Sequence, residues 1–450
     1  MTTTKFSQVP QERAPAFESP VLPRSFLSSH RPSHLEVVGR VPRYPAGAAQ
    51  AKLSAVVVPT SRPLAQSRLG LELAARCAEV RNAQFVVIRS GPATRDRFPS
   101  ELAARTAVPT IVIDLPQGFS GYLSEFRNIF HPVANRYRQS DLAQKRNLAL
   151  LLGLLAGWET VLLLDDDITT RRASLQPRRP QPLPAELVLR LDDVFAEFRY
   201  NQNLLAAGYL QKDFDDNSVV CHVRKLAGLP QEGFISGGAM VIRCTETIPF
   251  FPAAYNEDWL FLFVVMMQDL HRCPSSGVKR IGAIHQAAYY PFAAPRARGE
   301  EFGDVFAEGL YNLLEFSADD IDRQARSPEY WKQVIHDRKS MISHLIVQFQ
   351  DRYGPTDHPV VNDVESCLRT ALAVYPSTLA ESAELMVSYF RALMGDLPTW
   401  YGYTERLVSK HGRELPLLGA IATLGIDARL YEIPSEGPQW LPQPRQGVAS

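Results

Sequence analysis

Between Leu53 and about Pro291 the chain alternates short β-branched or apolar runs with stretches of helical period, and this alternation narrows the architectures open to it more than any other property. LSAVVVPT is followed by the amphipathic LGLELAARCAEV, then AQFVVIRSG, VPTIVIDLP, a long helical stretch and VLLLDDD. Strands separated by helices cannot close as tight hairpins, so they pair in parallel through crossovers. The expectation is an α/β domain with a largely parallel sheet, whose ligands bind beyond the carboxyl ends of the strands. From about Glu300 to Ile433 the pattern turns almost wholly helical, as in YWKQVIHDRKSMISHLIVQF and TLAESAELMVSYFRALM. Four parts are expected: a Pro-, Ser- and Arg-rich arm over 1–50, mobile or wrapped; the α/β domain over 51–299; an α-helical extension over 300–433; and a flexible tail over 434–450.

Charge removes several classes of partner. Lys plus Arg number 48 and Asp plus Glu number 48 in the 450 residues, so no global field draws the chain to nucleic acid or to an anionic membrane. The five cysteines are scattered, odd in number and free of CxxC spacing, which argues against a disulfide framework or a cysteine zinc site and fits a reducing cytoplasm. The N-terminus has no apolar core of the kind a signal peptide needs. The most hydrophobic stretch, LALLLGLLAGWETVLLL, is broken by Glu159 and ends in charge; it reads as a buried helix followed by a strand, with no transmembrane segment.

The run VLLLDDDITT places three carboxylates at the end of a buried strand. Continued strand alternation would point Asp165 and Asp167 to one face and Asp166 to the other. Two converging carboxylates repel, and a divalent cation with oxygen preference, Mg²⁺ or Mn²⁺, would compensate them and in turn hold a diphosphate. The plain alternative is an acidic turn in solvent. Upstream, Lys145, Arg146 and Asn147 open a helix before this strand, from which Arg146 could reach a phosphate; a solvated basic helix start is the alternative. Downstream, Gly237 and Gly238 in GFISGGAMVIRC allow close backbone approach or mark a turn. Glu257 and Asp258 head an intensely apolar helix, either as capping acids or, for Asp258, as a general base toward an acceptor hydroxyl. His285 follows a strand, as polar lining or as a further metal ligand.

In this order the residues resemble the nucleotide-sugar glycosyltransferases of the GT-A fold and are most similar to glycosyltransferase family 2. The resemblance covers roughly residues 51–295 and rests on VVVPTSR, the Arg-Asn dipeptide, DDD as a DxD motif, the Gly-Gly segment, the Glu-Asp pair and the later His. It implies a UDP- or GDP-sugar donor, with Pro59, Thr60 and Arg62 lining the nucleotide pocket and Arg146 close to the donor. Asp165 would touch the ribose or the cation's water shell, Asp167 would ligate the metal, and His285 would complete its ligands. Asp258 would be the catalytic base, oriented by Glu257, with Gly237 and Gly238 facing the sugar or the acceptor. The activity implied is metal-dependent hexosyl transfer to an unnamed acceptor hydroxyl, with inversion if Asp258 is the base.

One departure concerns the second strand, where the family carries an acidic pair and this chain has Arg89 and Ser90; Asp114 either marks a plain strand-end turn or supplies the missing acid. Acceptor choice is expected from the loop with Arg171, Arg172, Arg178 and Arg179, with a solvated loop as the alternative, and from KDFDDNSVVCH, whose second DxD at Asp213 and Asp215 reads as a surface turn. The helical extension is open to three readings: scaffold, dimerisation surface of a homodimer, or acceptor lid. Two rival functions share such a fold. A nucleotidyltransferase would need a Gly-rich phosphate loop after the first strand, where VVVPTSRPLAQSR has no glycine before Gly70. A non-catalytic sugar or nucleotide binding protein would have little use for DDD, the acidic pair and His285 together.

Overall fold

The computed structural model describes residues 33–95, 109–115, 141–169, 185–211, 218–229, 233–269, 277–286, 291–353, 359–375, 378–426 and 428–431. Its ten strands are β1 (Gly39–Arg40), β2 (Leu53–Thr60), β3 (Gln84–Arg89), β4 (Thr110–Asp114), β5 (Thr160–Leu164), β6 (Ile168–Thr169), β7 (Ala206–Gln211), β8 (Ser236–Arg243), β9 (Val278–Gln286) and β10 (Ala428–Tyr431). Nine of them lie in the order β1-β9-β7-β8-β5-β2-β3-β4-β10, and β6 pairs with β9 alone. The half running from β5 through β2 and β3 to β4 is parallel, as the strand and helix alternation demands. β8 runs antiparallel to both β5 and β7, and β10 antiparallel to β4, so the sheet is mixed.

Strand period divides the core into two layers. Along β2, Ala55 and Val57 face one layer, while Val56 and Val58 face the other. The second layer is closed by α1 (Leu64–Arg81) and α3 (Ala185–Tyr200), through residues such as Leu71, Cys77, Phe195 and Phe198. The first is closed by α2 (Leu142–Leu155) and α5 (Glu257–Asp269), whose central turns are apolar and buried. α4 (Val219–Leu226) joins a smaller satellite cluster with the C-terminal helices.

Those helices are α6 (Ala294–Phe316), α7 (Ile321–Ala325), α8 (Pro328–Tyr353), α9 (Pro359–Leu372), α10 (Leu379–His411) and α11 (Leu417–Thr423). The boundary expected at 299 and 300 falls inside α6, and the extension shares the first core layer: Trp331, Phe390 and Trp400 belong to the same buried cluster as Val57 and Leu163. Trp331 stacks on Phe306 with centroids 5.4 Å apart, and Trp400 Nε1 donates to the Ile248 carbonyl at 2.9 Å. The last described strand, β10, returns to pair with β4. The described part of the arm is equally integrated. Gly39 and Arg40 pair in parallel with Lys279 and Arg280, and His34 is fully buried against α6. Arg171, Arg172, Arg178, Arg179, Asp213, Asp215, residues 1–32 and the tail lie outside the described residues. Among the described residues, no helix is long and apolar enough to cross a membrane.

Candidate active site

β5 ends at Leu164, one residue before the first acid, and Asp166 and Asp167 form a turn leading into β6. Strand alternation therefore stops short of the acids, and the structure groups them differently from the sequence expectation. Asp165 turns toward α2, where Arg146 Nη2 donates to both its oxygens at 3.0 and 3.2 Å. Asp166 accepts from the Thr60 hydroxyl and the Arg62 guanidinium. Asp167 Oδ2 meets Arg62 Nη1 at 2.9 Å and Gln286 Nε2 at 3.0 Å. The pair sharing a partner is thus Asp166 and Asp167, across the end of β2.

The backbone explains why the turn can sit there. The pairing of β2 with β5 ends at Val57 and Leu163, and Pro59, which lacks an N–H, does not extend it. The Asp165 N–H instead donates to the Gly238 carbonyl at 2.8 Å, fastening the turn to β8. On its other side α1 presents Gly70, where a Cβ would lie 2.1 Å from the Asp166 carbonyl oxygen; only glycine admits that approach. Lys145, buried in the first turns of α2, donates to the Thr60 carbonyl at 2.9 Å and pairs with Asp141 at 2.8 Å, bracing the end of β2.

The floor of the site is built by β8 and the start of α5. Asp258 Oδ2 accepts from the Gly237 N–H at 2.6 Å, and its Oδ1 accepts from the Trp259 N–H at 3.0 Å. Arg146 Nη1 donates to Glu257 Oε1 at 3.0 Å, so one buried guanidinium joins the turn acids to the α5 acids. A Cβ on Gly237 would stand 2.6 Å from both Arg146 Nη1 and Asp258 Cβ, which accounts for glycine there. Gly238 is packed between Gln211, Ile168 and Ser236. The second residue of the Arg-Asn dipeptide secures the same floor: Asn147 Oδ1 accepts from the Phe251 N–H at 2.7 Å, and its Nδ2 donates to the Phe251 carbonyl at 2.8 Å.

The electrostatics follow from burial. Asp165 is pushed up to about 7 by loss of solvent, with Arg146 opposing and the neighbouring charges of Asp167 and Asp166 adding to the rise. Burial likewise raises Asp166 against the pull of Arg62 and Thr60. Asp258 is raised by burial and then by Glu257, against Arg146 and the two backbone donors. Burial opposes the charge on Arg146, yet Asp165, Glu257 and Asp258 more than offset it and hold the guanidinium ionised. Arg62 differs from Arg146 in exposure, 45% of its side chain against 2%, so it forms the solvent-facing edge of the cluster.

Two of the expected residues stand apart from these contacts. His285 lies in β9, where it pairs with Thr169 of β6, and the neighbouring Gln286 is the residue that reaches Asp167. Asp114 and Arg89, at the ends of β4 and β3, form a two-point ion pair at 2.6 and 2.8 Å. Gln286 and Gly70 carried no signal in the sequence beyond their residue type, whereas Lys145 was visible only as part of a basic helix start.

Among the described residues no group of three or more His, Cys, Asp or Glu side chains is arranged to hold a metal ion. Asp167 Oδ1 nevertheless is a buried carboxylate oxygen without a hydrogen-bond partner, next to a second carboxylate whose charge burial disfavours. That donor set fits a hard divalent cation of the Mg²⁺ type, which takes one or two carboxylates and draws its remaining ligands from water and substrate phosphates.

No family model matches the chain, and no curated protein matches it. Among solved structures, the chain is similar to a mannosyltransferase of Pyrobaculum calidifontis in complex with GDP-Man and Mn²⁺, at 12% identity and a TM-score of 0.35, over 85% of this chain and 90% of that one. It is also similar to glucosyl-3-phosphoglycerate synthase of Mycobacterium tuberculosis in complex with Mn²⁺, UDP-glucose and phosphoglyceric acid, at 12% identity and a TM-score of 0.33, over 60% and 85% of the two chains. The same enzyme with Mg²⁺ and UDP matches at 12% identity and a TM-score of 0.32, over 56% and 79%.

Proposed function

We propose that this protein is a metal-dependent glycosyltransferase that moves a hexosyl group from a UDP- or GDP-sugar to an acceptor hydroxyl, with inversion. The observation that carries the reading is the buried, unpartnered Asp167 Oδ1 at the carboxyl end of β5, joined through Asp165, Arg146 and Glu257 to a second carboxylate, Asp258, at the head of a rigid helix. A cation held there by Asp167, with Asp166 or Asp165 adjoining, would neutralise charge on the departing nucleoside diphosphate. Pro59, Thr60 and Arg62, at the end of β2, would border the nucleotide, and the partly exposed Arg62 would exchange its carboxylate partners for phosphate oxygens.

Asp258 is suited to accept the acceptor's proton. Burial and the Glu257 charge hold its carboxyl above the ordinary aspartate range, and two backbone N–H groups fix its orientation. Gly237, whose N–H holds Asp258, and Gly238, whose carbonyl holds the Asp165 N–H, would support the floor beneath the sugar. Arg146, enclosed by Asp165, Glu257 and the Phe251 ring 5.6 Å away, serves this site by holding the two acidic groups in register. The reading is tested by incubating the protein with UDP-, GDP- and dTDP-sugars and Mn²⁺. Release of nucleoside diphosphate is expected; release of pyrophosphate from a nucleoside triphosphate, or binding without turnover for every donor and acceptor tried, would overturn it.

A further inference from the structure

The C-terminal helices reach the start of α5 through a buried ionic cluster. Arg338 of α8 is fully buried and makes a two-point pair with Glu301 of α6, Nε to Oε1 and Nη2 to Oε2, each at 2.9 Å. Its Nη2 also contacts Asp304 Oδ2 at 2.5 Å, and the hydroxyl of Tyr375 donates to Glu301 Oε1. Asp304 uses its other oxygen outside the extension: Oδ1 accepts from Asn256 Nδ2 at 3.1 Å. Asn256 is the residue immediately before Glu257 and Asp258. It is held at φ 59°, a left-handed backbone conformation, and its carbonyl accepts the first helical hydrogen bond of α5, from Leu260.

Packing reinforces this one junction. Gly303 lets α6 press on the preceding residue, since a Cβ there would come 2.5 Å from the Tyr255 carbonyl oxygen. One turn of α5 further on, the Tyr311 hydroxyl of α6 donates to the Trp259 carbonyl at 2.9 Å. α6 thus grips the residues on both sides of the Glu257 and Asp258 pair while touching neither acid's carboxyl in these contacts. Two carboxylates sharing one guanidinium in the core are expensive to desolvate, and a chain needing only bulk there would do as well with apolar side chains. What an ionic cluster adds over apolar packing is direction: Asp304 has one oxygen fixed by Arg338, so the other can hold Asn256 at a defined angle.

We propose that Asp304, anchored by Arg338, and Asn256 are positioning residues through which the C-terminal helices set the orientation of Asp258. The catalytic half of this statement rests on the glycosyl-transfer reading; the mechanical half does not. The test uses the full chain with Asn256→Gly, which keeps the left-handed conformation accessible while deleting the amide, and Asp304→Ala, which leaves the Arg338–Glu301 pair in place. Amide hydrogen exchange is read on peptides containing Gly237 and Trp259, whose N–H groups donate to Asp258, and on an α10 peptide as control. Both variants are expected to speed exchange at the first two sites about tenfold or more with α10 unchanged. With an active donor they are expected to lower kcat by about 10- to 100-fold while the donor KM stays within about threefold. Unchanged exchange at Gly237 and Trp259 overturns the proposal whether or not the protein proves to be a transferase. Faster exchange with unchanged kcat overturns the catalytic half. If the wild-type chain turns over no donor, the functional reading fails and the exchange result alone decides the mechanical half. Should Asp304→Ala not fold, Asn256→Gly decides by itself, because it empties no large volume in the core.

Discussion

At the scale of single residues the site separates two tasks between two aspartates. Asp167 offers an unsatisfied oxygen and Asp258 a satisfied, oriented carboxyl, so their losses should read out differently. Asp167→Ala is expected to abolish the Mn²⁺ dependence of donor binding, followed calorimetrically with and without metal. Asp258→Ala is expected to leave donor affinity within a few-fold and to reduce turnover by about 10²–10⁴. The charge of Glu257 is the first neighbour raising Asp258, and its removal frees Arg146 to stabilise the Asp258 carboxylate further. Glu257→Gln should therefore move the acid limb of the kcat–pH profile to lower pH, because the base then stays deprotonated in more acidic solution. A limb that stays in place or moves upward would show that another group sets it.

Elements meet at this site by backbone contact as much as by side chains. α1 approaches the Asp166 turn closely enough that Gly70→Ala is expected to cost about 1–3 kcal/mol in a denaturant melt, despite alanine's better helix propensity, and to weaken metal binding by displacing the turn. The strands that carry the site were readable in the chain: LSAVVVPT is β2 from end to end, and VLLL ends where β5 does. Their helices followed from period. The grouping of the three acids was not readable, since alternation holds only while the strand lasts and nothing in DDD marks its end at Leu164. Nor was the antiparallel run of β8, because an apolar strand buried on both faces has the same pattern in either direction. Arg146 was legible as a basic residue near the acids, but its full burial between Asp165 and Glu257 depends on the crossing of α2 with α5, a tertiary fact.

On the scale of the whole molecule the helical extension completes the core of the α/β sheet, so its stability and that of the site are one quantity. Asp396 of α10 illustrates the link. Burial raises its carboxyl to about 6, so the folded state holds a proton there more tightly than the unfolded chain does. That contribution is complete below about pH 4 and is lost as pH rises through 6. Two pKa units correspond to about 3 kcal/mol, reduced to roughly 1–2 by solvent near the group. Asp396→Asn is therefore expected to flatten the fall in melting temperature between pH 4 and 6 and to be the more stable protein at pH 7. Equal slopes in both proteins would refute the assignment.

The pairing of β10 with β4 bears on how the chain folds. β4 is an edge of the parallel half-sheet until Ala428 to Tyr431, far from it along the chain, lie antiparallel beside it. Until β10 docks, a partly folded chain presents an apolar strand, TIVID, with one side of its hydrogen-bonding ladder open. Association of that open edge with a second copy would then compete with folding, and β10 acts as the closing stitch of the sheet.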